Sequence, residues 1–264
     1  MFASKSGLLV HDFLQAHDGA IEALAVDTNS HYFYSAGESG KLKKWDSKTK
    51  KLHTDYGQAH GNATILSITI SRDYMFTGDG VGRLKCWSVT PSTNTKHQQK
   101  PIIAQDLSLF SLNCLKDFGP VHSGGIESTK ISHNNKWLFT TDHNGFLKQW
   151  SLNNEIRLHK NYGNVMGGAI SSIAITPDDM FLYLTNEEGN MKKLCVSSEK
   201  VVKKWDKVMD NWINNVCISP DGSLLWLSDY EGFMKCWSLE SEETVKDYKK
   251  VGSGAIHCMD FIRC

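Results

Sequence analysis

No window of this chain approaches the roughly 20 consecutive apolar residues that a membrane-spanning helix needs, so a helical membrane protein is not expected. Residues 1–12 also lack the basic start, long apolar stretch and small-residue cleavage site of a secretory leader. The seven cysteines are odd in number and form no CxxC pair, and no His stands at metal-finger spacing. They read as thiols of a reducing compartment, and a cytoplasmic location is expected. Net charge is absent too: 29 basic residues face 29 acidic ones, so no global field draws the chain to nucleic acid or an anionic membrane. Proline is scarce, at five in 264 residues, whereas Gly (21) and Trp (eight) are frequent, a mixture that suits short strands joined by tight turns better than long helices. A composition of 40% hydrophobic and 22% charged residues is that of an ordinary folded chain rather than a disordered one.

Three internal repeats share one period. Five segments carry Gly-x-(Leu/Met)-Lys-x-(Trp/Leu): GKLKKW at 40–45, GRLKCW at 82–87, GFLKQW at 145–150, GNMKKL at 189–194 and GFMKCW at 232–237. Each reads as a turn glycine feeding a strand. Aromatic residues recur at Phe13, Tyr56, Phe118, Tyr162, Trp205 and Tyr248, each followed four residues later by His, Met or Gly. Between these lies a strand closing on a polar turn, clearest as IAITPDD at 173–179 and VCISPDG at 216–222. The aromatic-to-aromatic steps are 43, 62, 44, 43 and 43 residues, and all but the second match a four-stranded propeller blade. In the long step Trp87 lies 31 residues before Phe118, against 11 or 12 elsewhere, which predicts one inserted surface loop over about 90–109.

In this order of His, strand, polar turn and terminal Trp, the chain resembles the Trp-Asp (WD) repeat β-propeller family, and the resemblance runs over essentially its whole length. Only Trp45-Asp46 keeps the literal dipeptide; Trp87, Trp150 and Trp237 are followed by Ser, and Leu194 replaces the Trp of one repeat. His17, His60 and His122 match the family's loop His, whereas Met166, Met209 and Gly252 do not. The resemblance implies an Asp just before the turn Gly, joined to that His and to the strand Trp. Here the place holds Ser39, Val81, Asn144, Glu188 and Glu231, which argues against the full network in every blade.

The expected fold is therefore all-β, a single propeller domain over 1–264 with five complete blades at about 18–56, 61–118, 123–162, 167–205 and 210–248. A partial blade remains, with an outer strand at 7–13 and an inner strand at 253–264. Inner and outer strands of one blade would stand about 14 Å apart, too far to pair. The favoured expectation is a fragment of a six- or seven-bladed ring.

Candidate chemistry is sparse. Asp178-Asp179, Glu187-Glu188 and Glu242-Glu243 fall at turns, GDGVG at 78–82 has neither the Lys-Ser/Thr nor the helix of a phosphate loop, and no GxSxG elbow is present. No catalytic residue, cofactor or metal is expected. The resemblance instead implies a binding face, made by the turns between second and third strands together with the blade-to-blade loops. Those turns contain Glu38, Asp79, Asp142, Glu187, Glu188, Asp229 and Glu231 without Lys or Arg, and His143 and Tyr230 stand beside the acids. They predict an acidic rim on a chain that is neutral overall. Trp212 precedes a first strand where the other blades have Ala20, Thr64, Gly125 and Ala169, which marks it as an anchor for a partner or as a filler beside a neighbouring loop. The Lys repeated in every third strand (Lys43, Lys85, Lys148, Lys192, Lys235) points in five radial directions, so it reads as structural support rather than a nucleic-acid stripe. The function implied is a non-catalytic scaffold for proteins or peptides, basic segments among them, with neither nucleic acid nor membrane as partner. A structural subunit of a cytoskeletal, ciliary or other assembly is the alternative, and a propeller enzyme a distant third.

Overall fold

The computed structural model describes Phe13 and residues 15–27, 31–89, 114–252, 254–256 and 259. Among the described residues, twenty strands form five four-stranded antiparallel sheets. Blade one holds β1 (Ile21–Val26), β2 (Tyr32–Gly37), β3 (Lys41–Asp46) and β4 (Leu52–Gln58). Blade two holds β5 (Ile65–Ile70), β6 (Tyr74–Asp79), β7 (Arg83–Ser88) and β8 (Cys114–Pro120). Blade three holds β9 (Ser128–Ile131), β10 (Trp137–Thr141), β11 (Phe146–Ser151) and β12 (Arg157–Asn164). Blade four holds β13 (Ile170–Ile175), β14 (Phe181–Asn186), β15 (Met191–Cys195) and β16 (Lys200–Trp205). Blade five holds β17 (Ile213–Ile218), β18 (Leu224–Asp229), β19 (Phe233–Ser238) and β20 (Thr244–Lys250). Every blade is a simple meander in chain order.

The first strands β1, β5, β9, β13 and β17 stand side by side around a central cavity of about 920 Å³. Second strands lie between neighbouring blades and are buried on both faces, which is why YMFTGD and FLYLTN read as apolar runs rather than alternating ones. Fourth strands form the outer edge and are mostly exposed. Four apolar clusters fill the four junctions between the five blades. Tyr34, Ile65 and Trp87 represent the first; Phe76, Ile126 and Trp150 the second; Phe139, Ile170 and Leu194 the third; Tyr183, Ile213 and Trp237 the fourth.

The repeated glycine is fixed by two constraints at once. Gly82 has φ +80°, and a Cβ there would stand 2.2 Å from the His122 carbonyl oxygen; at Gly189, φ is +80° and the Met209 carbonyl would lie 2.1 Å away. The turn thus needs both left-handed backbone and contact between the turn and the next blade-to-blade loop.

The repeated lysine completes that contact. Lys43 Nζ donates to the Ala16 carbonyl at 2.6 Å, Lys85 to Ala59 at 2.8 Å, Lys192 to Val165 at 2.6 Å and Lys235 to Val208 at 3.0 Å, and Lys148 makes the same bond to Val121. Each lysine therefore ties its blade to the loop that leads into it.

The inserted loop at 90–109 lies outside the described residues, as do the outer strand at 7–13 apart from Phe13 and most of the inner strand at 253–264. The parts that are described follow the repeat. Phe13 packs edge-on against Trp45 at 5.4 Å, as Phe118 does against Trp150 and Trp205 against Trp237. Ile256 donates its amide to the Asp229 carbonyl, as Ile126 does to Asp79 and Ile170 to Asp142.

Candidate functional site

Blades two and three each contain a buried four-membered network that sequence reasoning placed in doubt. His60 Nδ1 lies 2.8 Å from Asp79 Oδ2 and its Nε2 2.6 Å from Thr77 Oγ1, which also accepts the Trp87 indole N–H at 2.8 Å. His122, Asp142, Thr140 and Trp150 repeat the arrangement at 3.1, 2.7 and 3.0 Å. The expectation failed because it looked for the Asp in the wrong place. The carboxylate stands three residues before the turn glycine, where its Oδ1 accepts turn amides two and four residues ahead: Val81 and Arg83 from Asp79, Asn144 and Phe146 from Asp142. Asn186 and Asp229 make the same turn in blades four and five.

The remaining blades are incomplete in ways their residues explain. Blade one keeps His17, Ser35 and Trp45, but Gly37 occupies the Asp position, and His17 Nδ1 is buried without a partner among the described residues. Burial accordingly lowers the His17 pKa. Blades four and five replace His by Met166 and Met209 and the hydroxyl by Leu184 and Leu227, so apolar contact takes over. Trp237 Nε1 is left buried without an acceptor among the described residues.

These networks change the expected rim. Asp79 and Asp142 are 0% exposed and Asp229 1% exposed, so all three carboxylates are internal and do not contribute to an exposed rim. Burial pushes Asp79 and Asp142 up, but the hydrogen bonds from His60 or His122 and from the turn amides outweigh it and hold both below the usual carboxylate range. The exposed acids are Glu38, Glu187, Glu188 and Glu231, on blades one, four and five. Even there Glu38 accepts the Ala20 amide at 3.0 Å, and Lys207 reaches the Glu188 carbonyl at 2.8 Å. In blade three the exposed turn residues are His143 and Asn144, and His143 Nδ1 lies 3.3 Å from Glu127.

Two of the three acidic pairs serve structure. Asp179 accepts the amides of His133 and Asn134 at 2.7 and 2.9 Å, joining blade four to blade three, and Glu242 joins Lys193 and Lys203 of blade four to blade five.

Trp212 stands at the rim of the central cavity and stacks on Tyr230, with ring centroids 5.9 Å apart and planes 15° from parallel. The Trp212 carbonyl accepts the Tyr230 amide at 3.0 Å, which fixes the pair, and Tyr230 remains 56% exposed. Trp212 thus fills space beside a neighbouring loop and also backs an exposed ring.

A second feature of the rim was not foreseen. In blades one, two, four and five the pairing register slips just after the first residue of the inner strand, between Ile21/Ala23, Ile65/Ser67, Ile170/Ser172 and Ile213/Asn215. A bulge of this kind re-aims the extra residue. Glu22, Leu66, Ser171 and Asn214 hold that place, Glu127 is its counterpart in blade three, and all five line the cavity. The only sequence signal was charge at the start of an inner strand: Glu22 as the second residue of β1 and Glu127 just ahead of β9.

Five meandering blades around a channel, with bonded turns and loops on one face, define a β-propeller. The family model "WD domain, G-beta repeat" matches residues 8–46 and 112–151, the frames that end on Trp45-Asp46 and Trp150-Ser151. No curated protein sequence matches the chain. With the repeat carried through all five blades, the chain has the fold of, and is similar to, the WD-repeat β-propellers. Propellers of this family generally serve as platforms for other proteins.

Proposed function

We propose that this chain is a non-catalytic scaffold that grips a partner protein or peptide on the face formed by its second-to-third strand turns and blade-to-blade loops, at the channel mouth beside Trp212 and Tyr230. The observation that carries the reading is the stacked pair, because an exposed tyrosine ring held rigid by a second aromatic offers contact area at little cost in ordering. The exposed acids Glu187, Glu188 and Glu231 stand on the same side and extend the contact toward basic segments. The test is affinity capture from lysate with the wild-type chain and with Tyr230→Ala. The variant removes an exposed ring and should keep the fold. Partners held by the wild type should be lost or weakened about tenfold or more in the variant, the range of an aromatic anchor. Equal recovery by both would sink the reading.

A further inference from the structure

The rim of the cavity carries two carboxylates that the propeller does not use to hold itself together. Glu22 has no ion-pair partner among the described residues, and Glu127 Oε1 faces the exposed His143 Nδ1 at 3.3 Å. Glu22 stands at the bulge of β1 and Glu127 at the equivalent place just ahead of β9; both line the cavity, and the residues at that place in the other blades are uncharged: Leu66, Ser171 and Asn214. Asp27 and Lys130 also line the cavity but fall at the far ends of the inner strands, toward the opposite mouth.

A second, independent observation points to a missing ligand. Thr129 lines the same cavity two residues beyond Glu127, is 5% exposed, and its hydroxyl has no hydrogen-bond partner among the described residues. On the other side of the cavity, Asn214 Nδ2 and Asn215 Oδ1 are likewise buried and unpartnered. Buried polar groups in proteins are normally satisfied, so this concentration around one cavity is unusual. The rim therefore offers negative charge, hydrogen-bond acceptors and, at Trp212 and Tyr230, a flat aromatic surface.

We propose that the channel mouth receives one cationic side chain, a lysine or arginine of a partner polypeptide, between Glu22 and Glu127 and beside Thr129, while the flanking peptide lies along Tyr230 and Trp212. This deepens the scaffold reading and rests on it. A cation meets two carboxylates on a partly desolvated wall, where charge-assisted hydrogen bonds exceed their worth on open surface. Lys130 keeps the opposite mouth from offering the same field.

The experiment is a selection of phage-displayed random 12-residue peptides on the wild-type chain, followed by affinity measurement of the enriched sequences. Enriched peptides should share one Lys or Arg at a fixed place. Glu22→Gln and Glu127→Gln, each checked for a wild-type melting curve, should weaken binding about tenfold or more. Replacing the shared arginine of a selected peptide by citrulline, or its lysine by norleucine, should do the same with the protein untouched. Peptides without a shared cation, or with unchanged affinity for both Gln variants and for the neutral analogue, overturn the proposal. If such peptides still lose affinity for Tyr230→Ala, the aromatic mouth stands and only the cation site falls. If binding ignores Tyr230→Ala as well, or no peptide is enriched, both readings fall.

Discussion

Trp87 and Trp150 donate to a buried threonine and Trp237 does not, and the difference rests on one position, occupied by Thr77, Thr140 and Leu227. Thr140→Val keeps the shape but strands two groups, the Trp150 indole N–H that donates to the hydroxyl and the His122 Nε2 that faces it. It should cost about 1–3 kcal/mol, the desolvation penalty of a buried unpaired group, read as a fall in the denaturation midpoint. The same network sets an acid limb. Asp142 and Asp79 titrate below the ordinary carboxylate value of 3.8 in the folded chain, so unfolding takes up protons. Their contribution to stability is full above the unfolded value and drains away as pH falls through the lower folded one. Asp142→Asn should therefore flatten the acid side of the stability-pH curve measured by denaturant titration; an unchanged slope would contradict the assignment. The histidines and tryptophans of these networks were legible in the sequence because they sit at fixed offsets. The aspartates were not, because their place is set by turn amides two and four residues ahead rather than by nearness to glycine.

At the scale of the element, third strands read clearly and inner strands poorly. A turn glycine with positive φ, a lysine reaching a loop carbonyl and a buried Trp leave a fixed spacing in the chain. The inner-strand bulge leaves almost none, since it changes where a residue points without changing which residue is there. Outer strands use another repeated device: Lys116, Lys160, Lys203 and Lys246 each lie over the aromatic ring two residues on in the same strand. Lysines and bulges on an edge discourage further strand pairing, and each outer strand has both a slipped register and this charge, apart from β4, which has the slip alone. Two glycines of like φ separate strain from contact. Gly57, at φ +64°, has nothing within 4 Å of where a Cβ would stand, whereas a Cβ at Gly82 would be driven into the His122 carbonyl. Gly57→Ala should cost about 1 kcal/mol, the left-handed penalty alone. Gly82→Ala should cost well beyond that and expose the junction of blades two and three to protease. Equal losses would show that the turn contact carries no weight.

Across the whole molecule, each blade touches its neighbours and little else, the condition under which stability becomes a sum over units and their interfaces. Leu147 is fully buried at the junction of blades three and four. Leu147→Ala should cost about 2–5 kcal/mol and lower hydrogen-exchange protection in blades three and four more than in blade one. Uniform loss would mean that the ring unfolds as one unit. The five blades were legible because the period is regular; the rim was legible only as composition, and burial then divided its acids into structural and exposed ones.

The lysine-to-loop bonds have a consequence beyond support. Val121 gives its amide to the Gly82 carbonyl at 2.9 Å and takes Lys148 on its own carbonyl; Val165 does the same between Gly145 and Lys192. One residue is thus held from both sides by equivalent partners. A blade excised between two such residues would leave the loop facing a different lysine in the same place, so the connection is a standard coupling, indifferent to which repeat stands on either side of it.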